Sequence, residues 1–137
     1  MKPHVLSRLP QDEVEIFFKI KQVVDNLPDI ILGNNENGEE ITLSCHLLAR
    51  AVGKVFGLKY VDGHSFPRYQ HTWLITSHRN IIDVYPVATL GGPIMLDGGC
   101  VRHVEKFYKK KRLAIGATRN SFRRALRKIE KVVRTMI

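Results

Sequence analysis

The segment between Thr42 and Tyr85 constrains the fold of this chain more than any other part of the sequence. It begins with an amphipathic helix, ended by Gly57, which suits the left-handed conformation of a helix C-terminus. Short runs of β-branched and aromatic residues follow, and turn residues separate them, as is typical of strands. This order predicts an α+β fold, with helices packed on a short antiparallel sheet. The apolar stripe of the helix consists of Leu48, Ala51, Val52, Val55 and Phe56.

The strands after this helix are predicted from alternating apolar residues and turn signals. A first strand covers 59–63 and ends in an Asp-Gly turn, and a second covers 71–76. The polar run 77–80 then predicts a turn that leads into a third strand at 81–85. The second and third strands therefore form a hairpin.

Two further helices are predicted outside this segment. The first runs over 11–26, and the last begins at Thr118 with Asn120 or Ser121 as its cap. The glycine-rich run 91–99 predicts a connecting loop or a flap. The apolar stripe predicted for the last helix consists of Phe122, Leu126, Ile129, Val133 and Met136.

Length and composition fit a single domain over 1–137. With 137 residues, 44% of them hydrophobic and 26% charged, the chain resembles an ordinary globular protein. It has no apolar run long enough to span a membrane, and its first residues lack the pattern of a secretory signal. We therefore expect a cytoplasmic protein in which Cys45 and Cys100 are free thiols.

The positive charge is concentrated in a basic C-terminal segment, residues 102–137. Residues 1–101 have a net charge of −2, whereas residues 102–137 have 13 Lys and Arg against two Glu. This asymmetry favours an acidic partner or nucleic acid. The alternative is a solvated basic face that keeps the domain in solution, because no base-reading motif accompanies the charges.

Cys45 lies at the predicted start of the second helix, three residues before Leu48. Free backbone N–H groups and the helix dipole favour a thiolate over a thiol at such a position. Taken alone, the residue fits equally a small apolar side chain that closes the core.

His71 and Asp83 lie on the two strands of the predicted hairpin, at positions of the same parity. Their side chains are therefore expected on one face of the sheet, directly or diagonally opposed. Asp83 is flanked by Ile82 and Val84, and a buried carboxylate needs a partner. His71 can be that partner, and its charged ring can hold Cys45 as a thiolate. The alternative is a structural hydrogen bond in a half-buried hairpin.

Three pieces of the sequence resemble the core of transglutaminase-like cysteine enzymes, which are papain-like. In residues 44–63 a cysteine opens a helix, a glycine ends it, and a strand and a second glycine follow. His71-Thr72-Trp73 resembles the histidine, spacer and tryptophan motif of that family, and residues 82–86 resemble its aspartate strand. The resemblance covers residues 43–86. It implies a papain-like fold, with Cys45 as nucleophile, His71 as general acid and base, and Asp83 as the residue that orients His71.

Four more residues are predicted to line the substrate cleft: His46, His64, Gln70 and Trp73. The backbone N–H of Cys45 is the expected donor to an oxyanion. A packing role is the alternative for Trp73, and solvated loop histidines are the alternative for His46 and His64. We expect no metal and no cofactor, because the six histidines and two cysteines do not follow a zinc-binding spacing.

The sequence thus predicts a cysteine hydrolase or acyltransferase with a Cys-His-Asp triad. Its thiolate attacks an amide or ester carbonyl of a protein or peptide and forms a thioester, which water or an amine resolves. The reaction is that of a protease, a deamidase or a transglutaminase. The alternative is a papain-like binding module without catalysis, whose basic C-terminal face binds nucleic acid or an acidic protein. The sequence gives no indication of an oligomeric state.

Overall fold

The segment 42–85 folds as a helix followed by antiparallel strands. A computed structural model describes residues 9–65, 69–85, 92–98 and 108–137. These residues contain three helices and five strands, which confirms the α+β class and the antiparallel sheet. The helices are α1 (Gln11–Asp25), α2 (Cys45–Phe56) and α3 (Asn120–Thr135). The strands are β1 (Lys59–Ser65), β2 (Tyr69–Ile75), β3 (Ile81–Asp83), β4 (Ile94–Leu96) and β5 (Tyr108–Lys110).

The strands form one sheet in the order β4-β3-β2-β1-β5, and every neighbouring pair is antiparallel. The ladder between β1 and β2 is long, from Lys59↔Ile75 to Ser65↔Tyr69. The ladder between β2 and β3 is short, with only Leu74↔Ile82 and Ile75↔Ile81 as partners. Among the described residues, the part of β2 before Leu74 therefore has a partner on the β1 side only.

The main core lies between the helices and one face of the sheet. Leu74 and Ile82, which are opposite each other on that face, are fully buried. Helix α2 packs on Leu74 through Gly53, where an added Cβ would lie 2.8 Å from both the Leu74 side chain and the Leu58 carbonyl oxygen. The helices complete this core with Ile20, Val23, Leu48, Val52, Ile129 and Val133.

Helix α2 begins at Cys45 and is ended by Gly57, as the sequence predicts. Ser44 is the N-cap, and its hydroxyl accepts a hydrogen bond from the Leu47 N–H at 3.3 Å. Gly57 ends the helix at φ 74°, in the left-handed region. These two residues fix Cys45 as the first helical residue.

The prediction of an Asp-Gly turn at the end of the first strand is wrong. β1 continues through Gly63 to Ser65, because Gly63 serves close strand packing and not a turn. A Cβ at Gly63 would lie 2.1 Å from the Lys109 carbonyl oxygen and 2.5 Å from Cη2 of Trp73. The turn at 77–80 is confirmed: the Thr76 N–H donates to the Asn80 carbonyl at 2.9 Å.

Two other predictions are corrected. Residues 94–96 of the predicted loop form β4, and residues 91 and 99 lie outside the described residues. Neither Asn120 nor Ser121 caps α3, because Arg119 is at the N-cap position and makes no side-chain cap. Instead Ser121 is buried and bonded to Glu36, whose carboxylate accepts from the Ser121 N–H at 3.1 Å and from its hydroxyl.

The buried face of α3 is rotated relative to the predicted stripe. Ala125 is fully buried, whereas Phe122, Leu126 and Met136 are only partly buried. None of the described helices is long and apolar enough to cross a membrane. Cys100, Pro86, the first eight residues and residues 102–107 of the basic segment lie outside the described residues.

Candidate active site

Cys45 is a free, partly exposed thiol at the first position of α2. A residue at this position has a backbone N–H without an acceptor inside its own helix. The thiol and this N–H therefore occur together at the positive end of the helix dipole. This is a suitable place for a thiolate and for a developing oxyanion.

His71 and Asp83 form a buried hydrogen-bonded pair. Nε2 of His71 lies 2.8 Å from Oδ2 of Asp83, and the two residues are 0% and 1% exposed. The register of β2 and β3 places the two side chains diagonally on one face of the sheet, as the parity of their positions predicts. The Asp83 carboxylate thus binds Nε2 of His71, and Nδ1 is left for another partner.

Asp83 accepts two further hydrogen bonds. The hydroxyl of Tyr108 donates to Oδ2 at 2.8 Å, and the N–H of Tyr85 donates to Oδ1 at 3.1 Å. None of these partners carries a permanent charge, and among the described residues no Lys or Arg contacts Asp83. The negative charge of this carboxylate is therefore balanced by the protonated ring of His71.

Aromatic rings enclose the His71 ring. Trp73 stacks on it with centroids 6.2 Å apart, and Tyr108 lies 6.4 Å away. These two aromatic rings touch each other edge to face at 5.2 Å. They shield the His71–Asp83 pair from water, which strengthens the electrostatic interaction within it.

Cys45 interacts with His71 where the β2–β3 ladder has ended. Helix α2 packs on the face of the sheet that carries Leu74, whereas His71 belongs to the opposite face. Among the described residues β2 is not paired with β3 at His71, and the His71 ring acts on the Cys45 sulfur through hydrogen bonding and charge. Nδ1 of His71 is buried and has no hydrogen bond of standard geometry within the described residues. Because Nε2 is bound to Asp83, Nδ1 is the ring nitrogen that is left for an interaction with the sulfur.

The electrostatics of the site favour an ion pair between sulfur and ring. Burial raises the pKa of Cys45, but hydrogen bonding and charge from His46 and His71 outweigh this effect and lower the pKa to about 6. Burial lowers the pKa of His71, but hydrogen bonding and charge from Asp83 and Cys45 outweigh it and raise the pKa to about 9. Between these values the thiolate and the imidazolium coexist. Burial and the Asp83 charge raise the pKa of Tyr108, so that its hydroxyl remains a donor.

A second polar network lies on the helix side of the sheet and begins at His46, the residue that follows Cys45 in α2. Nδ1 of His46 lies 2.7 Å from Oγ1 of Thr72, and that hydroxyl donates to Oδ1 of Asp62 at 2.7 Å. Arg50 binds both oxygens of Asp62, at 2.9 and 2.6 Å. The guanidinium also lies over the Tyr60 ring, 4.2 Å from its centroid. We call this network, His46–Thr72–Asp62–Arg50, the relay.

The structure brings together five of the seven predicted site residues. Cys45 interacts with His46 and His71, and His71 in turn contacts Asp83 and Trp73. His64 and Gln70 do not belong to this group. They are cross-strand partners in β1 and β2, and among the described residues neither has a hydrogen bond to Cys45 or His71. His64 also lies in a strand and not, as its surroundings in the sequence predict, in a loop.

Four site residues are missing from the sequence-based prediction: Tyr108, Thr72, Asp62 and Arg50. The β1–β2 register places Asp62 opposite Thr72. From the sequence alone, Asp62-Gly63 is interpreted as a turn, so this pair is not predicted. Arg50 follows Cys45 by five positions on α2, and this spacing alone carries no signal for an ion pair. Tyr108 is 25 residues away from Asp83, and no local pattern connects them.

A groove of about 860 Å³ borders the relay but not the thiol. Arg50, Tyr60 and Asp62 form one side, and residues 110–118 form the other. Lys110, Lys111 and Arg112 give the groove an excess of positive charge. Among the residues that the structure describes, no group of three or more His, Cys, Asp or Glu side chains is placed to hold a metal ion.

Comparison with protein-family models, curated proteins and solved structures gave no match.

Proposed function

We propose that this protein is a cysteine hydrolase or acyltransferase of the transglutaminase-like, papain-like type. One observation supports this most: a thiol at a helix N-terminus interacts with an imidazole whose opposite nitrogen is bound to a buried carboxylate. The order Cys45, His71, Asp83 on a helix and two antiparallel strands agrees with the sequence resemblance to that family.

Acylation follows from the ion pair. The Cys45 thiolate attacks the carbonyl carbon of an amide or ester, and the negative charge moves to the carbonyl oxygen. The N–H of Cys45 at the start of α2 donates to that oxygen. His71 gives its proton to the departing amine or alcohol, and a thioester on Cys45 remains.

The thioester is resolved by a second nucleophile. His71, now neutral and still oriented by Asp83, accepts a proton from water or from an amine as that group attacks. Collapse of the intermediate releases the Cys45 thiolate and restores the ion pair. Water gives hydrolysis, as in a protease or deamidase, and an amine gives acyl transfer. Because Cys45 is partly exposed, a carbonyl on a protein or peptide can reach it.

An acyl-enzyme assay tests this function. The protein is mixed with a chromogenic peptidyl ester, quenched, and digested, and the mass of the peptide that contains Cys45 is measured. We expect an acyl adduct on Cys45 that hydrolyses with incubation time and disappears faster when a primary amine is added. Cys45→Ser and His71→Ala lose the adduct, whereas His64→Asn, which removes a histidine outside the site, keeps it. An adduct on Cys45 that is unaffected by His71→Ala contradicts the proposal.

A second candidate function, a binding module for an acidic partner, is supported by the basic groove and by α3. Six basic residues of α3 are exposed, and the groove beside the helix start has three more. Fluorescence anisotropy with single-stranded RNA and with an acidic peptide tests it. Salt-sensitive binding that is lost in Lys110→Glu/Arg112→Glu and kept in Cys45→Ser supports this function. Absence of binding at low salt contradicts it. The exposed basic residues of α3 are Arg123, Arg124, Arg127, Lys128, Lys131 and Arg134.

A further inference from the structure

We propose that His46 is a second acid–base residue of the Cys45 site, held for this role by Thr72, Asp62 and Arg50. The inference rests on the proposed function, because it assigns His46 to the same reaction. It is carried by the geometry of the relay, in which a side chain next to the nucleophile is tied to a half-buried ion pair.

The hydrogen bonds of the relay fix the tautomer of His46. The hydroxyl of Thr72 has one proton, and it donates that proton to Oδ1 of Asp62 at 2.7 Å. The Thr72 oxygen must therefore accept from Nδ1 of His46, 2.7 Å away. Nδ1 thus carries a proton in both charge states of the ring, and Nε2 is the nitrogen that gains or loses one.

The relay is rigid enough to hold this orientation. Thr72 is fully buried, and Arg50 is 8% exposed. Arg50 grips both oxygens of Asp62 and also donates to the His46 carbonyl oxygen at 3.3 Å. The charged or titratable groups around His46 are therefore Cys45 and Arg50 on α2, Asp62 on β1, and His71 across the thiol. The negative charge of Asp62 is balanced by the guanidinium of Arg50, 2.6 Å away.

The proton transfer is a simple exchange. The S–H bond of Cys45 breaks and a bond from Nε2 of His46 to that proton forms, which gives a thiolate beside an imidazolium. The proton returns to the sulfur when the free thiol forms again. His46 thus exchanges a proton with the thiol before the attack, and His71, the partner of Asp83, protonates the leaving group in the acylation step.

The test is the pH dependence of Cys45 alkylation by iodoacetamide, with the labelled peptides quantified by mass spectrometry. In His46→Asn the amide can still donate to Thr72 but cannot accept the proton. We expect the inflection to rise by about one pH unit, which lowers the rate at pH 6 about fivefold. Thr72→Val, which removes the hydroxyl at nearly constant shape, also raises the pH of the inflection. Thr72→Ser, which keeps the hydroxyl, leaves the inflection at the wild-type pH. His64→Asn is the matched control and leaves it unchanged.

His71 variants separate the two proposals. In His71→Ala the inflection is expected between that of the wild type and that of an ordinary cysteine, and only His46→Asn/His71→Ala reaches the ordinary value. A His46→Asn profile that matches the wild type, with the His71→Ala profile already ordinary, overturns the role of His46 and leaves the proposed function intact. An ordinary profile in the wild type contradicts the proposed function itself. If circular dichroism shows His46→Asn to be unfolded, Thr72→Val against Thr72→Ser decides.

Discussion

Two carboxylates brace two histidines on opposite faces of β2, and the two pairs differ in what balances the charge. Asp83 is 1% exposed and contacts His71, Tyr108 and a backbone N–H, without a permanent cation among the described residues. Asp62 is partly exposed and is bound by both nitrogens of the Arg50 guanidinium end. His71 is therefore the counter-ion of Asp83, whereas the counter-ion of Asp62 is Arg50 and not His46.

This difference shows how one thiol can be served by two unlike imidazoles. A ring that must stay charged stabilises a thiolate but gives up its proton reluctantly. In the proposed reaction His71 stabilises the thiolate and protonates the leaving group, whereas His46, held by the relay, exchanges a proton with the thiol.

Asp83→Asn and Asp62→Asn are the sharpest comparison. In Asp83→Asn the ring loses the buried carboxylate that raises its pKa most, so that this pKa falls from about 9 and the ion pair with Cys45 is weakened. We expect acyl-enzyme formation to fall on the order of 10³-fold. Asp62→Asn loosens only the orientation of His46 and is expected to cost about tenfold. Stopped-flow measurement with the chromogenic ester gives both rates, and equal losses in the two variants contradict the division of roles.

Arg50→Met tests the permanent counter-ion of Asp62. The variant leaves a partly buried carboxylate without its cation, and we expect the free energy of unfolding to fall by about 3 kcal/mol. Lys54→Met is the control, because it removes one positive charge from an exposed position of the same helix. Urea denaturation measures both. The double variant Arg50→Met/Asp62→Leu removes the unpaired carboxylate and should recover part of the lost free energy of unfolding. If it recovers none, the unpaired Asp62 carboxylate is not the cause of the loss.

Gly63→Ala tests the close packing behind the His71 face. Its Cβ would lie 2.1 Å from backbone, at the Lys109 carbonyl oxygen, so that β1 and β5 must move apart. We expect a loss of about 2 kcal/mol, typical of an overpacked site. Gly38→Ala is the control: it places a Cβ at an unfavourable φ of 80°, but no atom lies within 4 Å of that Cβ, so its cost comes from backbone strain without a packing clash. It is expected to cost about 1 kcal/mol, so equal thermal shifts in the two variants argue against tight strand packing.

Tyr108→Phe is expected to have the smallest effect. It removes one of the three hydrogen bonds to Asp83 but leaves the carboxylate and its contact with His71 in place. We expect a loss of about 1 kcal/mol in stability and a Cys45 alkylation rate close to that of the wild type. A large drop in alkylation would mean that Tyr108, and not the charge of His71, organises the pair.

The sequence predicts the first of the two histidine pairs because local rules are sufficient for it. Ser44 and Gly57 define the ends of α2 and hence the position of Cys45, and equal parity puts His71 and Asp83 on one face. Both rules use only near neighbours in the chain and the two-residue repeat of a strand.

The relay could not be predicted because it depends on tertiary register. Asp62 is next to Gly63, and that pair of residues is a common turn signal until the β5 backbone is known to pass within reach of Gly63. Once β1 is a continuous strand, Asp62 is opposite Thr72 and beneath Arg50. The carboxylate that holds the start of α3, Glu36, is similarly distant in sequence from Ser121.

The most direct test of the central claim is a pH titration of the Cys45 thiolate by its ultraviolet absorbance, as the difference between the wild type and Cys45→Ser. Below the Cys45 pKa of about 6 the thiol is protonated, and above the His71 pKa of about 9 the imidazolium is lost. We therefore expect the thiolate signal to appear near pH 6, and the rate of acyl-enzyme formation to be highest between the two values. A single transition at the pKa of an ordinary cysteine, about 8.5, would contradict an ion pair at this site.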